Sequence, residues 1–372
     1  MVRNNNQSLR RFTEEIMRGH RSPSIFYPLL KAMEQTYKFV VWTRNWLYDI
    51  GFLKTAKPDC LVISIGNLTV GGSGKTPFVE FLARKLTNSK IGILSRGYKA
   101  QTREKIQIVS DGISLLSSPP DAGDEPYMLG KKLRNVPVVC TSEKLLGAKF
   151  MLDKFDVNII LLDDGFQTRY IARDLDIVLI NAQNPFGSGS LIPLGILREP
   201  TNSLSRADLV LITNSDQVDQ TSIASLKLHI SKCCSAPTLV AKGVVTGFYT
   251  MSGSPVNLDD KPTFAFCGIA NPDYFKRTLE IKNVKISGHH FFRDHHAFTT
   301  KDIAQINDSA SRVGAKCFVT TEKDAARLAE WKDMFKFEVV VAKWKVEIVE
   351  GNDIFVSLID DVVSSLCTKY EK

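Results

Sequence analysis

Chemistry in this sequence begins with one glycine-rich run, Gly66-Asn67-Leu68-Thr69-Val70-Gly71-Gly72-Ser73-Gly74-Lys75-Thr76. Glycines bring backbone N–H groups close to phosphate oxygens, and the start of a following helix adds a positive dipole end. Thr69, Val70, Gly71, Gly72, Ser73 and Gly74 would wrap a nucleotide's phosphates. Lys75 would reach the β- and γ-phosphates, and the Thr76 hydroxyl would bind Mg²⁺. The strict pattern wants glycine at position 69, where this chain has Thr69. The competing reading is a glycine-rich connection that binds nothing.

A second candidate is Asp163-Asp164-Gly165, which follows the apolar run Asn158-Ile159-Ile160-Leu161-Leu162. A strand that ends in an acid can hold Mg²⁺ opposite the loop's threonine. Paired aspartates at a strand end are also common turn formers. With a phosphate loop upstream, the metal role is preferred. Four of the six histidines, His289, His290, His295 and His296, crowd around Asp294. Histidine and aspartate are zinc ligands, but adjacent pairs do not match an H-x₃-H spacing. A loop that brings one histidine to the phosphate is the better reading, with His289 and His290 in solvent.

The elements that must position these residues are legible in the hydrophobic pattern. Leu61 to Ile65 reads as a buried strand entering the glycine loop, and Phe78 to Leu86 as the helix leaving it. Further strands are predicted at Leu175–Ile180, Ala207–Ile212 and Lys316–Thr320. The glycine- and proline-rich stretch Phe186–Pro200 is long for a connection, which suggests function. Strands alternating with helices predict an α/β fold, a P-loop kinase-like parallel sheet with helices on both faces, with sites at the carboxyl ends of the strands. A smaller C-terminal α/β domain and an N-terminal amphipathic helix complete the expectation. The expected boundaries are a helical, membrane-associating segment at 1–58, a P-loop domain at 59–236 and a β-rich linker at 237–262. A smaller α/β domain follows at 263–345, then a strand and helix at 346–372 that could return to the P-loop domain.

The chain has 372 residues and a net charge of +8, from 48 Lys+Arg against 40 Asp+Glu. Most of the excess sits in residues 1–58, which hold ten basic and four acidic residues, a difference of +6. Such a segment suits an anionic membrane surface or nucleic acid. Residues 24–53 carry apolar residues at roughly helical spacing, with Tyr27, Trp42, Trp46 and Tyr48 as amphipathic aromatics. That pattern fits a helix lying in a membrane interface. It equally fits a helix that packs its apolar stripe on a core. No signal-peptide pattern is visible in Met1–Arg11, and no stretch approaches the ~20 apolar residues of a spanning helix. The seven cysteines are odd in number and lack CxxC spacing, which favours free thiols. Guanine readers usually carry an Asn/Thr-Lys-x-Asp element. Thr213-Asn214-Ser215-Asp216 lacks the lysine and Thr321-Glu322-Lys323-Asp324 has the wrong order, so ATP is the expected nucleotide.

Taken together, GNLTVGGSGKTP (66–77), LSRGYK (94–99), GDEPYML (123–129), LDDGFQ (162–167) and RDLDIVLI (173–180) resemble the lipid A 4′-kinase (tetraacyldisaccharide 4′-kinase) family. FGSGSLIPLGILREP (186–200), RADLV (206–210), FCGIANPDYF (266–275), FRDHHAF (292–298) and VTTEKDAARL (319–328) extend the resemblance in family order. It implies ATP-dependent phosphorylation of the 4′-hydroxyl of a tetraacyldisaccharide 1-phosphate. It also implies peripheral attachment to the cytoplasmic face of the bacterial inner membrane, with no nucleic acid and no obligate protein partner. Carried over residue by residue, it makes Asp124 the catalytic base and His295 its partner. Asp163 and Asp164 become the Mg²⁺-associated pair, and Gln167, Arg198 and Glu199 lie near the nucleotide and metal. Two positions depart from the family pattern. Thr168 replaces a frequent histidine, and Glu143-Lys144 replaces Asp-Arg. Lysine cannot make arginine's bidentate contacts, so a phosphate fork at 144 is in doubt. Two readings compete: a P-loop nucleotide switch, or a kinase of another membrane-bound acceptor. A nucleic-acid-binding ATPase ranks last, because no RNA-binding or helicase-like motif accompanies the basic charge.

Overall fold

The computed structural model describes residues 27–86, 88–97, 104–269, 271–294 and 296–370. His295 and the first residues of the 24–53 segment lie outside the described residues.

In chain order the elements begin with α1 (Tyr27–Asp49), β1 (Leu61–Asn67), α2 (Lys75–Lys85), β2 (Ile91–Ser95) and β3 (Gln107–Ser110). Then come α3 (Pro119–Ala122), α4 (Asp124–Lys132), β4 (Val138–Cys140), α5 (Lys144–Phe155), β5 (Ile159–Asp163) and β6 (Leu175–Asn181). The chain continues through β7 (Leu209–Thr213), α6 (Gln220–Ser231), β8 (Thr238–Thr250), β9 (Pro255–Val256), β10 (Thr263–Cys267) and α7 (Pro272–Ile281). It ends with β11 (Ile286–Phe291), α8 (Thr300–Arg312), β12 (Cys317–Thr321), α9 (Glu322–Arg327), β13 (Glu338–Glu350) and α10 (Asn352–Tyr370).

One sheet runs through the described residues in the order β11-β10-β12-β13-β8-β7-β6-β1-β5-β2-β4-β3, with β9 on the flank of β8. Strands β7, β6, β1, β5 and β2 are parallel and buried along almost their whole length. Strands covered on both faces read as unbroken apolar runs, which is why these segments are plain in the sequence. A second parallel group, β11-β10-β12-β13, is joined to the first by the long antiparallel pair β8/β13, from Thr250↔Val340 to Val240↔Glu350. After β13, α10 returns to the first group. There Phe355, 1 % exposed, packs edge-on to Phe78 and tilted against Phe81 of α2.

Helix α1 is built inside out relative to an ordinary surface helix. Its buried residues are Glu34 and Val41. Leu29, Met33, Phe39, Val40, Trp42 and Trp46 are exposed, Phe39 and Trp42 by 64 % and 60 %. Most of the apolar stripe therefore faces outward, while Val41 is buried and Tyr37 packs against the core. Polar groups make the inward attachment. Glu34 accepts from the Leu191 amide at 3.0 Å, and the Tyr37 hydroxyl donates to the Arg198 carbonyl oxygen at 3.0 Å. Among the described residues, no helix is long and apolar enough to cross a membrane.

Candidate active site

The glycine loop leaves the carboxyl end of β1 and enters α2. At Gly66 an added Cβ would stand 2.5 Å from Phe166 Cβ, so only glycine lets β1 pass the turn that follows β5. Beyond it the loop is tied at several points. The Val70 amide donates to the Ile196 carbonyl (2.8 Å), Asn181 Nδ2 to the Gly72 carbonyl (3.1 Å) and Thr213 Oγ1 to the Ser73 carbonyl (3.0 Å). Thr69 bridges to Leu197. Gly71 (φ +118°) and Gly74 (φ +80°) hold backbone conformations that strain other residues. The Ser73 hydroxyl is buried without a hydrogen-bond partner among the described residues. Lys75 and Thr76 open α2 at the helix end where backbone N–H groups lack intrahelical partners.

Lys75 joins the acidic strand end. Its Nζ lies 3.1 Å from Asn67 Oδ1 and 3.4 Å from Asp164 Oδ1. Arg198 Nη1 contacts both Asp164 oxygens, at 3.0 and 2.8 Å, and approaches Gln167 Oε1 at 3.4 Å. Gln167 Nε2 in turn donates to the Asn67 carbonyl at 2.9 Å. Asp164 is held below the ordinary carboxylate range: Lys75 and Arg198 outweigh the opposing effect of burial, itself the largest single influence. Its φ of +56° is a left-handed turn conformation that aspartate tolerates, so it serves as both turn and site residue.

Asp163 sits deeper. Its Oδ2 accepts from Ser95 Oγ at 2.9 Å, and its Oδ1 is buried without a partner. Burial first, then the negative charge of Glu125, push it up to about 6. Lys144 lies fully buried near it, donates to the Leu94 carbonyl at 3.0 Å, and is pushed down to about 8 by burial. A lysine with this single carbonyl contact is no bidentate fork. An orphaned carboxylate oxygen on Asp163, next in sequence to a second carboxylate, suits Mg²⁺, which uses one or two carboxylates and completes its shell with water and phosphate. Among the described residues no group of three or more His, Cys, Asp and Glu gathers to hold a metal.

Asp124 begins α4, after Gly123. Its Oδ2 accepts from Arg327 Nε at 2.9 Å and from Arg327 Nη2 at 2.5 Å. Arg327 also contacts Asp324 Oδ1 at 3.1 Å, and Asp324 is fully buried, accepting from the Gly268 amide and the Thr321 hydroxyl. This bridge fastens the start of α4 to α9, across the β8/β13 seam. Lys323 lies 3.8 Å from Glu125 Oε1 and 3.6 Å from Asp294 Oδ1, so the residue before His295 is brought to the Asp124–Glu125 turn. His296 stacks on Phe292 and pairs with Asp302 at 3.1 Å, a packing arrangement. His290 lies tilted against Phe292, and burial lowers its affinity for a proton.

Glu199 is not brought to the cluster around Lys75. It is fully buried, with Oε1 on Arg44 (2.6 Å) and Oε2 on Arg206 (2.7 Å) and Asn45 (3.1 Å). It is thereby committed to α1 and to the turn after residue 200. Its neighbour Arg198 reaches the opposite way, to Asp164. The sequence reading gave no role to Arg327, Ser95 or Asn67. Arg327 lies within the VTTEKDAARL block, but its partner is two hundred residues away, and spacing carries no sign of such a contact.

By its sheet order and its loop, the chain is a P-loop kinase-like α/β protein. Residues 26–364 match the family model described as tetraacyldisaccharide-1-P 4′-kinase. A tetraacyldisaccharide 4′-kinase of Desulfatibacillum aliphaticivorans is 35% identical over 350 residues, 90% of this chain and 94% of that protein. One from Anaeromyxobacter sp. (strain Fw109-5) is 38% identical over 326 residues, covering 85% and 87%. The crystal structure of LpxK from Aquifex aeolicus in complex with ATP superposes with a TM-score of 0.73 at 30% identity, covering 91% of this chain and 98% of that one. The chain belongs to the tetraacyldisaccharide-1-P 4′-kinase family.

Proposed function

We propose that this kinase transfers the γ-phosphate of ATP to the 4′-hydroxyl of a tetraacyldisaccharide 1-phosphate, in the lipid A pathway, at the cytoplasmic face of the bacterial inner membrane. Support comes first from one observation: Lys75, Asp164 and Arg198 form a single charge cluster at the mouth of the phosphate loop. Residues 69–74 wrap the phosphates, and Lys75 and Arg198 neutralise charge that develops on the transferred group. Mg²⁺, when bound by Thr76, Asp163 and Asp164, supplies further charge neutralisation on the phosphates. Gln167 holds Arg198 and the loop's first residue in register.

The acceptor is a sugar hydroxyl, a weak nucleophile until its proton leaves. Asp124 takes that proton, and His295 orients it. Arg327 sets the carboxylate's rotamer from the far side, through two contacts to the same oxygen. The domain division is proposed along the same lines. Residues 59–236 carry the phosphate loop, 237–262 the linker and 263–345 the smaller unit that brings Arg327, Lys323 and the 292–298 loop to the site. Residues 346–372 return to the first unit.

The outward apolar face of α1 docks in the headgroup region of the membrane, with Trp42 and Trp46 at its level. An exposed stripe of this size is otherwise a liability for a protein in water.

The test is an Asp124→Asn variant assayed with lipid acceptor and ATP. A general-base role predicts a fall in kcat of about a hundredfold or more, with KM for ATP little changed. A variant with near-normal kcat would remove Asp124 from the mechanism.

A further inference from the structure

Helices α4 and α9 lie against each other in opposite directions, and an ion pair closes each end. At one end Asp124, in the first turn of α4, meets Arg327, the last residue of α9. At the other end Lys132, the last residue of α4, meets Glu322, the first residue of α9. Each charge also complements its own helix, with carboxylates at the N-terminal ends and cations at the C-terminal ends. The proposed function uses the first pair and gives no role to the second.

Lys132 Nζ holds two carboxylates at once, Glu80 Oε2 and Glu322 Oε2, each at 2.8 Å. The three side chains are 19 %, 16 % and 14 % exposed, so solvent screens these pairs only in part. Glu80 lies on α2, one turn beyond Thr76. Glu322 precedes Lys323, which reaches Glu125 and Asp294. One ammonium group thus joins the helix that follows the phosphate loop, the helix that begins with Asp124 and the helix that carries Lys323 and Arg327.

Loss of that ammonium does not act on the three helices equally. Arg84 Nη2 keeps α2 on α4 without it, through Glu80 Oε1 at 3.0 Å and the Lys132 carbonyl oxygen at 3.1 Å. The phosphate loop is held by its own ties to Asn181, Ile196 and Thr213. The loss therefore falls on α9. Glu322 keeps the Trp344 amide, a neutral donor at 3.3 Å, and faces Glu80 without the cation that joined them. Like charges so placed push α9 away from α2 and α4, and Arg327 goes with it.

We infer that Lys132 is a positioning residue for phosphoryl transfer: by holding Glu80 and Glu322 together it keeps α9 against α4, so that Arg327 and the 292–298 loop stay at Asp124. The inference rests on the proposed function and extends it. It assigns Lys132 to the acceptor side of the reaction and not to nucleotide binding.

The test compares wild type with Lys132→Met, Lys132→Arg and Lys132→Met/Glu322→Gln. Calorimetric titration with ADP counts the nucleotide-competent molecules and gives the dissociation constant. The kcat with ATP and lipid acceptor in detergent micelles is then expressed per competent molecule. Lys132→Met is expected to lower that kcat about ten- to a hundredfold, the scale of a misplaced catalytic group, with ADP affinity and KM for ATP little changed. Lys132→Arg is expected to retain most of the activity, because a guanidinium carries donors for both carboxylates. Glu322→Gln added to Lys132→Met is expected to recover part of the loss, since the repulsion goes with the charge. If Lys132→Met does not fold, Glu322→Gln alone is read in its place. It removes the partner on α9 without facing two carboxylates, and is expected to lower kcat several-fold at unchanged ADP affinity. Wild-type kcat per competent molecule in the variant read, or a loss of ADP affinity in step with kcat, would overturn the inference while labelled lipid kept the kinase reading. Wild type that labels no lipid would remove the kinase reading and this inference with it.

Discussion

Arg198 Nη1 lies 2.8 and 3.0 Å from the two oxygens of Asp164, while the backbone carbonyl of Arg198 accepts the Tyr37 hydroxyl at 3.0 Å. One residue thus touches the acid at the end of β5 with its side chain and α1 with its backbone. The next residue, Glu199, doubles the link through Arg44 and Asn45. Position 198 is therefore fixed from both directions. A guanidinium so placed contributes through geometry as well as charge.

Arg198→Lys keeps the charge and replaces the guanidinium whose Nη1 spans both Asp164 oxygens and Gln167 Oε1. A charge-assisted hydrogen bond is worth roughly 1.5–3 kcal/mol, so kcat/KM for ATP should fall about ten- to a hundredfold. Steady-state kinetics at saturating lipid read this directly. A lysine variant as active as wild type would show that charge alone suffices.

Arg327 bridges Asp124 to the buried Asp324. Arg327→Ala leaves Asp324 with only neutral donors, and should destabilise the fold by roughly 3 kcal/mol, the scale seen when one partner of a buried pair is removed. Adding Asp324→Asn should recover part of that loss, because the uncompensated charge goes with it. Urea unfolding of both variants measures the difference. If the double variant is no more stable than the single one, the bridge is not an electrostatic tie.

Trp42 and Trp46 stack on each other and are exposed by 60 % and 47 %. Trp42→Glu/Trp46→Glu should reduce co-sedimentation with anionic phospholipid vesicles several-fold and leave thermal unfolding nearly unchanged. Vesicle binding at wild-type level would place the membrane contact on another surface.

Asp176, at the start of β6, pairs with Arg173 at 2.7 Å, yet burial pushes it from an ordinary 3.8 up to about 6. The folded protein then binds this proton more tightly than the unfolded chain. The stability it contributes is fully present below about pH 4 and is lost as pH rises through about 6. The interval corresponds to roughly 3 kcal/mol at most. Wild type should therefore lose stability relative to Asp176→Asn between pH 4 and pH 6, with no further change above pH 7. Melting curves across that range decide it, and a constant gap would contradict the shift.

The parallel strands and the phosphate loop were legible because each is a local signal: an apolar run, clustered glycines, a lysine before a threonine. The loop at 66–76 leads from β1 into α2 as its glycines require, and the strand expected to end in Asp163 does so. Helix α1 was legible in periodicity but not in orientation. A moment says that a helix has two faces; what the 186–200 segment offers to Glu34, Tyr37 and Arg44 decides which face turns inward. Tertiary ties were not legible. The Asp124–Arg327 bridge, the commitment of Glu199 to Arg44 and Arg206, and the burial of Lys144 under Leu94 depend on where elements far apart in sequence come to rest. The family resemblance places Glu199 near the nucleotide and metal; the direction its side chain takes, to Arg44 and Arg206, is not written in local sequence.

The central claim is phosphate transfer to a lipid by the Lys75 loop. The most direct measurement incubates the protein with γ-labelled ATP and a tetraacylated disaccharide 1-phosphate in detergent micelles, beside a Lys75→Ala control. The account predicts label on the lipid with wild type and its near-complete loss in the control. ATP hydrolysis without labelled lipid, or equal labelling by Lys75→Ala, would contradict it.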